Sequence, residues 1–126
     1  MSKTIINTPK APAPIGPYSQ AVSANGMLYI SGQMPLIPET GELEWGGIKK
    51  ETAQVMKNIG AILTEAGLDF SNVVKTSIFV ANMDDFGAVN EVYGENFGDN
   101  PPARETVAVK TLPKNVNVEI SCIAVL

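Results

Sequence analysis

Val73-Val74-Lys75-Thr76-Ser77-Ile78-Phe79-Val80 is the plainest strand in the chain, dense in β-branched residues. What flanks it decides the fold. Upstream, Ile48, Thr52, Val55, Met56, Ile59, Ile62, Leu63 and Ala66 recur at three-four spacing, which predicts a helix from about Ile48 to Ala66. Lys49, Lys50, Gln54, Lys57, Asn58 and Glu65 fall on its opposite side. Gly67 supplies a C-terminal cap. Gly60 inside the helix costs up to about 1 kcal/mol relative to alanine, which points to close packing against a neighbour. Downstream, a second helix starts at Asp84 or Asp85, where an acid caps free amides, and runs to about Phe97. Its apolar stripe is Phe86, Val89, Tyr93 and Phe97, with Asn90 within that stripe or at its edge. An amide there either finds hydrogen-bond partners or costs about 1–3 kcal/mol in lost hydration. Asn90 is therefore structural glue, the commoner case, or a side chain aimed into a site.

Working outward, Ala21–Ala24 and Met27–Ser31 flank Asn25-Gly26, the favoured two-residue type I′ turn of a hairpin. Ser31-Gly32-Gln33 ends that second strand. Thr4-Ile5-Ile6 can add a further strand. Pro9, Pro12, Pro14 and Pro17 exclude a helix between them and favour an extended surface segment, with Tyr18 read as its half-buried anchor. Pro35 to Gly47, with the lone Trp45, reads as a loop. At the C-terminus, Ala103 to Thr111 and Val116 to Leu126 read as a second hairpin joined by Leu112-Pro113-Lys114-Asn115. Val116, Val118, Ile120, Cys122 and Ala124 share one face of the last strand; Asn117, Glu119 and Ser121 share the other. The order strands, helix, strand, helix, two strands is an α+β pattern, with both helices able to cover one face of a single sheet. The other face still carries apolar positions, either Val73 and Phe79 or Val74, Ile78 and Val80, and self-association is the simplest way to cover it.

Composition narrows the chemistry. The 126 residues fit one domain, residues 1–126, and a chain of this size buries roughly two-thirds of its unfolded surface. A net charge of −4 opposes non-specific binding to nucleic acid or anionic membrane. No apolar run approaches the roughly 20 residues needed to span a bilayer, and the N-terminus has no signal-peptide pattern, so a cytosolic (cytoplasmic) address is expected. The single cysteine, Cys122, excludes an intrachain disulfide and a cysteine-based zinc site. There is no histidine, which removes Ser-His-Asp triads, imidazole metal sites and a histidine base.

Against eight lysines stands one arginine, Arg104, in Pro101-Pro102-Ala103-Arg104-Glu105-Thr106-Val107. Its planar fork can grip a carboxylate or phosphate through two parallel hydrogen bonds, which lysine cannot do. Glu119 is the obvious partner for an ion pair. The hairpin register opposes it: with Thr111 opposite Val116, Arg104 pairs near Ile123 and Glu119 near Ala108, about 13 Å apart along the ribbon. A site using both is built more naturally across a subunit interface. A carboxylate-gripping arginine, a glutamate able to take a proton from water, and nearby hydroxyls and amides suit hydrolysis of a small charged electrophile. They do not suit cleavage of a stable amide. Lys75 as a Schiff-base lysine is the minor reading, because strand lysines are usually solvated.

The chain resembles the RidA (YjgF/YER) family of reactive-intermediate deaminases, also known as L-PSP endoribonucleases or translation inhibitors. The resemblance rests on Ile15-Gly16-Pro17-Tyr18, Ser31-Gly32-Gln33, Val74-Lys75-Thr76, Val89-Asn90-Glu91-Val92-Tyr93, Pro102-Ala103-Arg104, Leu112-Pro113-Lys114 and Val118-Glu119-Ile120, in order over essentially the whole chain. It implies a chorismate-mutase-like α+β domain with a six-stranded, mostly antiparallel sheet, assembled as a homotrimer with clefts between subunits. It also implies hydrolytic deamination of 2-imino acids and their enamine tautomers, 2-iminobutanoate and 2-iminopropanoate, to 2-oxo acids and ammonia, with no metal or organic cofactor. Arg104 would bind the substrate carboxylate and Glu119 would orient or activate the water. Tyr18, Ser31 and Asn90 would line the pocket, with the backbone at Gly32. The family often has serine and then a small residue such as cysteine after the arginine, where this chain has Glu105-Thr106. Alternation sends Glu105 to the opposite face and gives Thr106 the pocket position. Two other readings stand beside this one: a non-catalytic module that holds a small carboxylate, and a ribonuclease, which the charge and the missing histidine oppose.

Overall fold

The computed structural model describes residues 2–126. Six strands form one sheet: β1 (Thr4–Ile6), β2 (Ala21–Ala24), β3 (Met27–Gln33), β4 (Val73–Val80), β5 (Ala103–Ala108) and β6 (Val118–Val125). Two helices, α1 (Ile48–Glu65) and α2 (Phe86–Gly94), cover one of its faces. The spatial order is β1-β2-β3-β6-β4-β5. Every neighbouring pair is antiparallel except β4 and β5, which run parallel. The mostly antiparallel, two-layer α+β expectation therefore holds.

The predicted C-terminal hairpin does not form. Strand β5 pairs with β4 at the sheet edge, while β6 inserts between β3 and β4. The link from 109 to 117 makes this possible. Leu112 and Val116 are buried in a small cluster with Met34 and Leu36, and Lys114 and Asn115 take left-handed φ values of 59° and 56°. A tight hairpin turn would have kept the two strands adjacent; this anchored loop carries the chain past β4 instead.

The buried side of β4 is Val73, Thr76, Ile78 and Val80, whereas Val74 is exposed and Phe79 points the other way. Neither of the two alternating sets expected for this strand survives whole. A register shift against β6 between Val73 and Lys75 adds a residue, so Val73 and Ile78 reach the same face. The opposite face is uncovered. Ile5, Val22, Tyr29 and Ile123 stand in one register row across β1, β2, β3 and β6, with Ile5 59% and Tyr29 48% exposed.

Helix α1 follows its predicted stripe, from Thr52 through Leu63, and closes on Gly67 at φ 77°. Gly60 is as close-packed as expected: a Cβ there would come within 3.3 Å of the Phe70 ring. Asn58 departs from its predicted solvent side. It is fully buried and donates from Nδ2 to the carbonyls of Met34 (3.2 Å) and Leu36 (2.8 Å), tying the 34–47 loop to the helix. Helix α2 starts where expected, with Asp85 at its N-cap position, but the acid makes no side-chain capping bond; instead Asn82 caps the short 3-10 turn that leads into the helix, its side chain accepting from the Asp84 N–H. It ends at Gly94, three residues before Phe97.

Candidate functional site

Strand β5 places Arg104 opposite Thr76 of β4, on the face that α2 covers. Three residues of α2 meet it there. Phe86, Asn90 and Tyr93 lie four and three residues apart, on one side of the helix. The guanidinium carbon sits 5.2 Å from the Tyr93 ring centroid and 5.5 Å from that of Phe86. One terminal nitrogen, Nη1, donates to Asn90 Oδ1 at 2.5 Å. Tyr93 is held in turn by a 2.7 Å hydrogen bond between its hydroxyl and that of buried Thr76. Loss of water around the Tyr93 phenol raises its pKa, only partly offset by the Thr76 bond and the Arg104 charge. Asn90 and Arg104 line a cavity of about 400 Å³ with Tyr93, Gly94, Pro101 and Pro102.

A second cavity, of about 310 Å³, gathers Tyr18, Ser31, Gly32 and Glu119 with Ile15, Met34 and Pro113. Glu119 pairs with Phe79 on the uncovered face of the sheet. Burial alone raises its pKa, with no hydrogen bond or nearby cation among the described residues offsetting the lost hydration. Gly32 lies directly beside it: a Cβ built on Gly32 would meet the Glu119 carboxylate before anything else. Ser31 donates its hydroxyl hydrogen to the Ser19 carbonyl at 2.6 Å, which leaves its lone pairs to accept. Tyr18 accepts from the Ile15 N–H at 3.2 Å, which leaves its own hydrogen to donate. The proline-rich segment that carries Tyr18 is pinned by buried Gln20, which binds Thr8, Ala11 and Pro12 backbone groups.

Arg104 and Glu119 thus line two separate cavities. Arg104 and Glu119 lie two strands apart and three residues along, about 14 Å in the plane of the sheet, and on opposite faces. The separation expected from the hairpin register is correct in size but arises from a different topology. Thr106 shares Arg104's face through its pairing with Ile78, and its buried hydroxyl has no hydrogen-bond partner among the described residues. Glu105 takes the other face, where Ser77 donates to it and Lys75 pairs with it at 3.0 Å, so its charge is spent on Lys75 and not on Arg104. Cys122 is buried, with its thiol pushed up to about 12, as an inert core residue should be. Among the described residues no group of three or more His, Cys, Asp or Glu side chains could hold a metal ion.

Sequence reasoning placed Phe86 and Tyr93 in the core stripe and missed their contact with Arg104. The four-three spacing through Asn90 is the signal that could have found it. Met34 and Pro113 carried no such signal, since they reach the Glu119 cavity only through the anchored loops.

The sequence profile of a family described as Endoribonuclease L-PSP matches residues 8–126. The chain belongs to the RidA (L-PSP) family. Among RidA relatives, the mouse 2-iminobutanoate/2-iminopropanoate deaminase is 51% identical over 123 residues, covering 98% of this chain and 91% of its own. The structure of RidA from the Antarctic bacterium Psychrobacter sp. PAMC 21119 superposes with a TM-score of 0.94 at 43% identity, covering 98% and 99% of the two chains. Escherichia coli TdcF, solved with bound serine, gives 0.93 at 38% identity, covering 98% of each. The RidA fold, two helices on one face of a six-stranded mixed sheet, is the one seen here. Among the described residues no helix is long and apolar enough to cross a membrane.

Proposed function

We propose that this RidA-family chain hydrolyses small 2-imino acids, 2-iminobutanoate and 2-iminopropanoate, to 2-oxo acids and ammonia. The observation that carries the reading is the split site: a guanidinium with unused donors on one sheet face, and an uncompensated carboxylate in a cleft on the other. Each lacks what the other supplies. A second copy of the chain, docked on the uncovered sheet face, brings one subunit's Arg104 to its neighbour's Glu119, and a closed ring of three copies makes three such sites. Names of relatives support the chemistry, since the mouse protein at 51% identity is a deaminase of these two imines.

In this scheme Arg104 holds the substrate carboxylate and Thr106 lies beside it. Glu119 accepts a proton from water as the oxygen bonds to the imine carbon, and the C=N electron pair moves to nitrogen. Glu119 returns that proton to the nitrogen, giving the carbinolamine, and then takes the hydroxyl proton as the C=O bond forms. The C–N bond breaks with its electron pair going to nitrogen, which receives this second proton from Glu119 and leaves as ammonia, and the 2-oxo acid remains. Tyr18, Ser31 and the Gly32 backbone position the water and the nitrogen. An imine carbon is already electrophilic, so these groups suffice without an activated side-chain nucleophile. The family description names an endoribonuclease, but net charge −4 and one arginine give RNA phosphates little to bind. The test couples the protein to a threonine dehydratase and follows 2-oxobutanoate release. Acceleration by the parent and none by Arg104→Ala is expected; no acceleration by the parent defeats the proposal.

A further inference from the structure

Arg104 is exposed, yet it is not free. It emerges from an edge strand and lies against a helix stripe in which every third or fourth residue touches it: Phe86, Asn90 and Tyr93. An arginine on a surface strand ordinarily samples many rotamers and loses that freedom on gripping a ligand. Here two ring faces and one amide oxygen have already fixed the plane of the guanidinium.

We infer that the Phe86-Asn90-Tyr93 stripe of α2 is a cradle that positions Arg104 and leaves its Nε–Nη2 edge for the substrate carboxylate. The choice of edge follows from the bonds. A guanidinium can take a carboxylate end-on through Nη1 and Nη2, or side-on through Nε and Nη2. Asn90 Oδ1 occupies Nη1, whereas Nε and Nη2 have no protein partner among the described residues. Tyr93 is itself fixed through its hydroxyl to Thr76, the residue that pairs with Arg104 across β4 and β5. Cradle and strand are thus locked at one register position. This rests on Arg104 gripping the substrate, and makes Phe86 and Tyr93 positioning residues.

One arginine in the chain makes the test direct, because its Nε–H resonance needs no assignment. In the ligand-free protein, ring currents from Phe86 and Tyr93 should move the Arg104 side-chain protons well away from free-arginine positions. Tyr93 is also part of the core, so Phe86→Leu, at the exposed rim, carries the argument. We expect Phe86→Leu to relax the shift and raise KM about two- to fivefold with kcat little changed. Phe86→Tyr should restore both. Free-arginine positions in the parent protein, or a Phe86→Leu variant with shift and KM unaltered, overturn the cradle. Full turnover by Arg104→Ala would instead overturn carboxylate binding, while the ring-current result, which needs no ligand, judges the cradle by itself.

Discussion

Arg104 and Glu119 occupy opposite faces of the same sheet, with strand β4 between their own strands. No side-chain rotation joins them within one chain. Any reaction that uses both requires two copies, and that requirement can be tested without knowing the substrate's origin.

Arg104→Ala and Glu119→Ala should each be inactive, and each should keep its fold, because both side chains lie at cavity walls. Dissociated together, mixed one to one and reassembled, they should recover about one quarter of parental turnover, the fraction of interfaces that pair an intact arginine with an intact glutamate. Recovery indistinguishable from zero in properly reassembled mixtures would place the whole reaction within one chain.

Burial raises the Glu119 pKa above the ordinary 4.5. Its base form is lost as pH falls through that raised value, so the acid limb of kcat/KM should have its midpoint above 4.5. Stability follows the same group with the opposite preference. The folded state holds this proton more tightly than the unfolded chain, so ionisation weakens the fold as pH rises through the raised pKa. Glu119→Gln should match the parent's stability in acid and exceed it above that window, measured as urea midpoints across the range.

Gly32→Ala introduces no backbone strain, since Gly32 is not among the glycines with left-handed φ. Its Cβ displaces the Glu119 carboxylate. Turnover should fall by at least about tenfold, a misplacement of the order of 1 Å at the base. Urea unfolding should stay close to the parental midpoint. A fully active alanine variant would mean that Glu119 need not sit where it does.

Asn58 donates to two carbonyls in a site without water access. Asn58→Ala should cost about 1–3 kcal/mol in chemical denaturation, because Met34 and Leu36 lose their donor while still buried. The 34–47 loop should exchange its amide hydrogens faster, and through Met34 the Glu119 cavity should loosen.

The two helices and most strands were legible because local pattern decided them: three-four spacing in Ile48–Leu63, β-branched density in β4, Asn25-Gly26 between β2 and β3. Pairing of β5 was not, since alternation fixes which residues share a face but not which strand lies alongside. The bulge after Val73 was hidden for a similar reason; it exists only in relation to β6. Asn58 misled because a helix wheel has no knowledge of a loop arriving over it. At the site, Arg104 declared itself by rarity, and Glu119 as the acid on the polar face of the last strand that was the obvious partner for it. Phe86 and Tyr93 stayed concealed because an aromatic side chain serving a core and one serving a cation look alike in sequence.

Placing β6 in the middle of the sheet also bears on how the molecule comes into being. Until β6 is available, β1-β2-β3 and β4-β5 are two separate ribbons sharing no backbone ladder. Strand β6 joins β3, some 90 residues earlier, to β4, so the closing contacts are distant in sequence and late in synthesis. A chain stopped before Val118 would expose two unpaired strand edges, with nothing to zip them together.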